Sequence, residues 1–434
     1  MKTFREPAMS THAVPLRAEP APRPTPRWFA FAGAGALIAV GYMDPGNWAT
    51  ALSAGAGYGY ALLGVVLLAS LMGMLLQWMS SRVGVVSGRD LAELAHERYG
   101  RRTVLMLWIA AEIAIIACDV AEVLGVAVAL QLLLGVSLAV GVALSAVGTF
   151  GLLALKRRGT RRLEGTVTAL IMFTAACFVA QLALAHPDWA AALRGFAPSR
   201  EMMTNTGMLW LAAGILGATV MPHNLYLHSA LVKDLAPERQ PAQVRQALLG
   251  VNFDTFGSLV FAFVINAALL ILAAAVFHAN GNTGVSDLGD AQRLLAPLLG
   301  HQWAGLLFAG ALLACGLNST VTGTLAGQAV MQGFLKLKLT PWKRALLTRA
   351  LAIGPAFLAV AAFGEHGSTS LLVASQVVLS LQLPLAVIPL VKFASDRSLM
   401  GRWRVGGVLL GLAWICVAMI LGLNAALIGQ AVAG

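Results

Sequence analysis

The sequence predicts an all-α polytopic membrane protein of eleven transmembrane helices, and three observations point to it. The 434 residues are 58% hydrophobic and 11% charged, with a mean hydropathy of +0.77, far from the composition of a soluble domain. Apolar stretches of at least roughly 18 residues, long enough to cross about 30 Å of hydrocarbon, recur along nearly the whole length. The basic residues alternate by loop: with residues 1–27 in the cytoplasm, all 30 Lys and Arg except Arg194, Arg200 and Arg293 fall on the cytoplasmic side, as the positive-inside rule requires. The expected location is a cell membrane crossed many times, amino end inside and carboxyl end outside. The net charge of +11 is then topology, with anionic lipid as its partner and no nucleic acid implied.

Residues 1–27, rich in proline and polar residues, read as a disordered cytoplasmic tail without the apolar core or cleavage site of a signal peptide. Helix 1 spans 28–57 and is interrupted by Met43-Asp44-Pro45-Gly46-Asn47. Helix 2 (60–84) runs toward Ser87-Gly88-Arg89, and helix 3 (103–133) carries Glu112, Asp119 and Glu122. Helix 4 (138–156) stops at the cluster Lys156, Arg157, Arg158, Arg161 and Arg162, after which helix 5 takes 163–185. Helix 6 (207–232) is interrupted by Met221-Pro222-His223-Asn224. Helices 7 (248–278) and 8 (302–335) precede helix 9 (342–363), which holds Arg344 and Arg349. Helix 10 (367–391) contains Gln376, and helix 11 (403–430) closes the chain. Cys118, Cys177, Cys315 and Cys416 lie in apolar spans, too scattered for a zinc or disulfide set, and read as small packing residues.

The two interruptions are the informative features. An aspartate and an asparagine at membrane depth cost several kcal/mol unless something compensates them, and a cation does so. Pro45 and Pro222 each lie in the first helix of a block of five, 28–185 and 207–391. Because five is odd, the second block enters from the opposite side, so the repeat is inverted and helix 11 stands outside it. Paired broken helices in inverted halves mark a transporter's central site. Proline removes an amide donor and glycine permits unusual dihedrals, so carbonyls such as that near Ala218 lose their intrahelical partners. A carboxylate, an amide oxygen, backbone oxygens and the Met221 thioether thereby converge at the midplane.

Helix 3 adds a second pattern. At about 100° per residue, Glu112 and Asp119 fall within roughly 20° of each other and Glu122 within roughly 80° of Glu112. Three acids on one intramembrane face read as a proton relay or as an ion-pair network with the helix 9 arginines. His223 follows the second proline directly and titrates near about 6.5 when unperturbed. His228 points elsewhere and reads either as functional or as an interhelical hydrogen bond.

Asp44-Pro45-Gly46-Asn47 together with Met221-Pro222-His223 resembles the paired signatures of the Nramp family of proton-coupled divalent-metal transporters, of the bacterial manganese-importer type. The similarity extends through Asn224-Leu225-Tyr226-Leu227-His228-Ser229, Ser87-Gly88-Arg89, Cys118-Asp119-Val120-Ala121-Glu122 and the run from Gln376 to Pro384. It implies the leucine-transporter (LeuT) type of fold with two inverted five-helix repeats, import of manganese or iron as divalent ions, and cotransport of protons. By the same resemblance Asp44, Asn47 and Met221 are metal ligands, helped by the carbonyls of Ala218 and Gly41, with Gln376 lining the site. The implied proton pathway is Asp44, His223, Glu112, Asp119 and Glu122, with Arg349 and Arg344 as counter-charges. No cofactor is expected, and a monomer suffices for transport.

A thioether ligand discriminates against hard magnesium and calcium, so manganese(II) or iron(II) is the expected cargo, with cadmium and cobalt able to follow. The rival reading is an amino-acid permease of the same architecture, for which Asp44 beside Met221 makes a poor carboxylate site. An enzyme is not expected: the chain holds no HExxH, no GxSxG and no GxxxxGK[ST] motif.

Overall fold

The computed structural model describes residues 33–157, 160–197, 201–337 and 368–433, with scattered positions between 343 and 358. The first half is α1 (Ala34–Gly41), α2 (Pro45–Tyr58), α3 (Leu63–Ser87), α4 (Leu91–Arg98), α5 (Arg101–Leu134), α6 (Leu138–Arg157) and α7 (Thr160–Ala185). Two short helices, α8 (Trp189–Arg194) and α9 (Glu201–Thr204), lead into α10 (Thr206–Thr219) and α11 (Pro222–Val232). The remainder is α12 (Pro241–Val276), α13 (Leu288–Leu299), α14 (Trp303–Leu335), α15 (Ser368–Ser395), α16 (Arg397–Met400) and α17 (Gly407–Ala433).

Among the described residues, eight helical spans are long and apolar enough to cross a membrane, α10 and α11 counting as one. The other three expected crossings have separate explanations. The first is split into α1 and α2, and the fourth, α6, counts as apolar over the shorter stretch Leu138–Gly148. The ninth, 342–363, falls largely outside the described residues and takes Arg344 and Arg349 with it. Large apolar side chains such as Phe253 and Val408 stand 83% and 80% exposed, an arrangement that lipid, not water, accommodates.

Both breaks are built alike. Asp44, with φ −68° and ψ 166°, caps α2 by accepting a hydrogen bond from the Asn47 N–H at 2.8 Å, and Pro45 opens the helix. Met221, with φ −31° and ψ 117°, stands in the same place before Pro222 at the head of α11. Proline has no N–H to continue the preceding helix but suits the first turn of a new one, so each helix stops and restarts within three residues.

The break in helix 1 is gripped by its neighbours. Pro45 lies where α5 and α14 both lack a side chain: a Cβ at Gly125 would sit 2.2 Å from the Pro45 Cβ, and one at Gly316 3.5 Å from its Cγ. Such close backbone approach through glycine is how helices associate without a hydrophobic driving force. The unwound carbonyls are also held. Asn266 of α12 donates to the Tyr42 carbonyl at 2.7 Å, and the Cys315 thiol of α14 donates to that of Met43. None of the four cysteines is in a disulfide and all are buried; Cys315 does more than pack, because its thiol donates to the Met43 carbonyl, whose helical donor, the Asn47 N–H, is taken by Asp44.

Two amphipathic elements went unforeseen. At one end of the bundle, α4 begins with a capping box in which the Asp90 carboxylate accepts from the Glu93 N–H and the Glu93 carboxylate from the Asp90 N–H, both at 2.9 Å. Lys233, just after α11, donates to Asp90 at 2.8 Å and to Glu93 at 2.7 Å, tying the end of the second broken helix to α4. Burial and then the neighbouring Glu93 charge push the Asp90 carboxyl up, with Lys233 pulling the other way. At the opposite end, α13 is capped by Asp287 and joined to the start of α15, where the Thr369 hydroxyl donates to Asp287 at 3.1 Å and accepts from the Leu288 N–H at 3.1 Å.

Candidate metal and proton site

Asp44 is fully buried and its two oxygens differ. Oδ1 accepts from the Asn47 N–H and from Asn47 Nδ2, each at 2.8 Å, whereas Oδ2 has no hydrogen-bond partner. The same Asn47 amide donates to the Ala218 carbonyl at 3.0 Å. The proline-headed start of α2 thus meets the open carbonyl end of α10, which joins three of the residues expected at the site: Asp44, Asn47 and Ala218.

Gln376 reaches this cluster from α15. A Cβ on Gly46 would lie 1.9 Å from Gln376 Nε2, so the amide rests against the backbone between Asp44 and Asn47. The α15 backbone comes as close to α10, since a Cβ on Gly217 would lie 1.9 Å from the Gln376 carbonyl oxygen. Gln376 Nε2 donates to the Ser375 hydroxyl at 3.1 Å, and Oε1 is buried without a partner.

Met221 is wholly buried and packs with Ala114, Cys118 and Leu379. Its sulfur accepts from Asn224 Nδ2 at 3.5 Å, and that same nitrogen occupies the space where a Gly41 Cβ would be, 2.2 Å away. Asn224 therefore links Met221 to Gly41, a role the sequence analysis did not assign although the residue is part of the quoted motif. The Gly41 carbonyl accepts from the Asp44 N–H at 3.3 Å, so it is already partly engaged.

Around the first break, then, Asp44 Oδ2, Gln376 Oε1 and Asn224 Oδ1 are buried oxygens without a donor. Native interiors rarely leave such acceptors unmatched, and acceptors alone call for a cation. Among the described residues no three His, Cys, Asp or Glu converge to hold a metal; the donor set here is one carboxylate with amides, a carbonyl and a thioether.

The acids of helix 3 divide. Asp119 and Glu122 are buried on one face of α5 against Gly323 of α14, where a Cβ would lie 3.0 Å from an oxygen of each. The Cys118 thiol donates to Glu122 Oε1 at 3.8 Å, and Cys118 belongs to the same buried cluster as Met221. Packing is therefore continuous from the second break to this acidic pair. Glu112 is half-buried and accepts from Trp108 Nε1 at 3.1 Å; it lies about 15 Å along the helix axis from Glu122, at about 1.5 Å per residue.

His223 is buried next to Pro222, with Nδ1 unpartnered. His228 is buried in a network of its own, with Nδ1 2.9 Å from Gln77 Oε1 of α3 and Nε2 3.4 Å from the Thr255 hydroxyl of α12. The interhelical bond is thus the alternative found for His228.

The family model described as natural resistance-associated macrophage protein-like matches residues 35–430. The chain belongs to the Nramp family. A divalent metal cation transporter MntH from Xanthomonas campestris pv. campestris is 53% identical over 406 residues, covering 93% of this chain and 91% of the relative. The protein of that name from Bradyrhizobium diazoefficiens is 51% identical over 408 residues, 94% of this chain and 91% of the relative. Among solved structures, an Eremococcus coleocola manganese transporter in complex with an aromatic bis-isothiourea substituted compound superposes with a TM-score of 0.85 at 35% identity, covering 94% of this chain and 89% of that one. MhsT in complex with L-phenylalanine gives a TM-score of 0.61 at 15% identity over 90% of this chain and 98% of its own, a likeness of fold alone. The Nramp chain thus has the LeuT-type architecture expected of it.

Proposed function

We propose that this Nramp protein imports divalent transition-metal ions, manganese(II) and iron(II) with cadmium and cobalt as further cargo, by alternating access coupled to protons. The observation that supports this most is the donor-poor pocket at the first break, where Asp44 Oδ2 and its amide neighbours are buried without hydrogen-bond donors. The relatives named for divalent metal cations and manganese agree with a cation as cargo. An ion held by Asp44, the Ala218 carbonyl, Met221 and Gln376 replaces the hydrogen bonds that Asn47 now makes. Turning the Asn47 amide by half a rotation presents its oxygen to the ion.

Asp44, Met221 and Gln376 are each fully buried, so entry and exit require the units 28–185 and 207–391 to rock about the site. Inward movement of a dication is favoured by about 4.6 kcal/mol at about 100 mV, from roughly 2.3 per charge. Asp119 and Glu122, beside the buried cluster that holds Cys118 and Met221, supply the proton path, with Asp44 and His223 at its metal end, Glu112 farther along, and Arg349 and Arg344 as counter-charges. The permease reading fares worse, because the amino end of α2, where such a fold would bind a substrate carboxylate, already holds that of Asp44. Uptake of manganese, iron and calcium by the purified protein in liposomes with an internal pH dye tests cargo and coupling together. Transport of calcium in preference to manganese, or metal entry without acidification, would overturn the respective half.

The acidic pair is expected to govern proton flux more than metal binding. Asp119→Asn and Glu122→Gln should each reduce metal-stimulated acidification while manganese affinity stays within about tenfold, or about 1.4 kcal/mol. Unchanged acidification in both variants would remove them from the path. For Met221→Ala, the loss of a soft sulfur should weaken cadmium more than manganese and let calcium compete better, since a water completes an oxygen shell. If all three ions weaken together in competition uptake, Met221 is packing.

A further inference from the structure

A second cation-rich site lies at the cytoplasmic ends of the helices, independent of the metal pocket. Ser87-Gly88-Arg89 ends α3, and Gly88 has the left-handed φ of 64° that favours glycine. Its missing side chain has a further use: the Arg239 guanidinium fills that space, with Nη2 2.1 Å and Cζ 2.6 Å from where a Cβ would be. Arg239 itself has a φ of 50°, a conformation that costs a non-glycine residue free energy. The strained backbone and the glycine floor together fix one guanidinium in place. Among the described residues no carboxylate pairs with it.

This guanidinium borders a cavity of about 420 Å³ that is also lined by Arg89, Arg98, Glu97 and Ser398. Arg89 pairs with Glu97, and Arg98 donates to Asp396 at 3.2 Å. Ser398 donates its N–H and hydroxyl to Asp396, both at 2.7 Å. With Arg89 paired to Glu97 and Arg98 to Asp396, the positive charge of Arg239 is left over on the wall, and its planar fork of donors faces an occupant. Such a fork matches the oxygens of a phosphate, and basic pockets on the cytoplasmic side of membrane proteins are suited to anionic head groups.

We propose that this cavity binds a phosphate group, as carried by an anionic phospholipid head group or by free phosphate. The occupant joins the end of α3 and the linker before α12 to the segment after α15, which Asp396 already ties to Arg98 of α4.

The test uses the full-length protein in neutral detergent, with the midpoint of thermal unfolding read at constant ionic strength. Short-chain phosphatidylglycerol, short-chain phosphatidylcholine, inorganic phosphate and sodium chloride are titrated separately. Phosphatidylglycerol should raise the midpoint more than phosphatidylcholine does, and chloride should not raise it. A matching rise with inorganic phosphate assigns the source to free phosphate, and its absence assigns the lipid. Arg239→Gln should require about tenfold more phosphatidylglycerol for the half-maximal rise, about 1.4 kcal/mol, with Arg239→Lys between. Arg98→Gln, at another residue of the lining, serves as a second variant that leaves the Gly88 contact intact and should weaken the response as well. Equal responses to chloride and phosphatidylglycerol, no response to any phosphate, or unaltered responses in both Gln variants would overturn the site.

Discussion

Asp44→Asn is expected to abolish manganese uptake into liposomes while the protein still folds. The substitution keeps the oxygen that accepts both Asn47 bonds at 2.8 Å and is nearly isosteric, so the cap of α2 survives. What changes is the other oxygen, which becomes an N–H₂ donor aimed where an ion needs an acceptor. Two unit charges about 4 Å apart attract by about 4 kcal/mol at an effective dielectric of about 20, and a dication doubles that. Even a fraction of that loss removes several factors of ten in affinity. Near-normal uptake by a well-folded variant, checked by circular dichroism and gel filtration, would refute the role of Asp44.

Gly217→Ala is expected to be nearly as damaging, for a different reason. A single methyl at Gly217 would lie 1.9 Å from the Gln376 carbonyl oxygen and 2.8 Å from the Ser380 N. Both are backbone atoms of α15, which cannot step aside as a side chain can. Overpacking of this kind costs about 1–3 kcal/mol or more, and here it also drives α10 from the helix that carries Gln376. Gly46→Ala offers the control. Its methyl meets the Gln376 side chain, 1.9 Å from Nε2, which can swing away, so folding should persist while the metal affinity changes. Thermal unfolding in detergent should show a clear drop for Gly217→Ala and a small one for Gly46→Ala; the reverse order would contradict the packing described for α10 and α15.

The breaks were legible because proline cannot be hidden in a membrane helix: its missing N–H dictates where the ladder stops, and Asp44 and Met221 fall at the restarts for that reason. Most of the membrane-crossing helices were legible because apolar runs of at least roughly 18 residues are long enough to span a bilayer. The partners that hold the broken backbone were harder to read. Asn266 and Cys315 are isolated in long apolar runs, and only the placement of α12 and α14 beside Tyr42 and Met43 shows what each donates to. The lone Asn266 was nonetheless a signal, since an amide in lipid must find a partner. Helical spacing put Glu112 on one face with Asp119 and Glu122, yet angle alone says nothing of depth along the axis, and Glu112 pairs with Trp108 instead. Both α4 and α13 escaped notice because they are short and mixed in composition, although Asp90 and Glu93 form a capping box that marks the start of α4.

The central claim is that a transition-metal ion sits between the two broken helices. It is tested most directly by anomalous X-ray scattering at the manganese edge from crystals of the protein grown with manganese. One peak is predicted, bounded by the Asp44 carboxylate, the Asn47 amide oxygen, the Ala218 carbonyl and the Met221 sulfur, and it should vanish in Asp44→Asn. A saturated manganese peak elsewhere in the bundle, with this pocket empty, would contradict it.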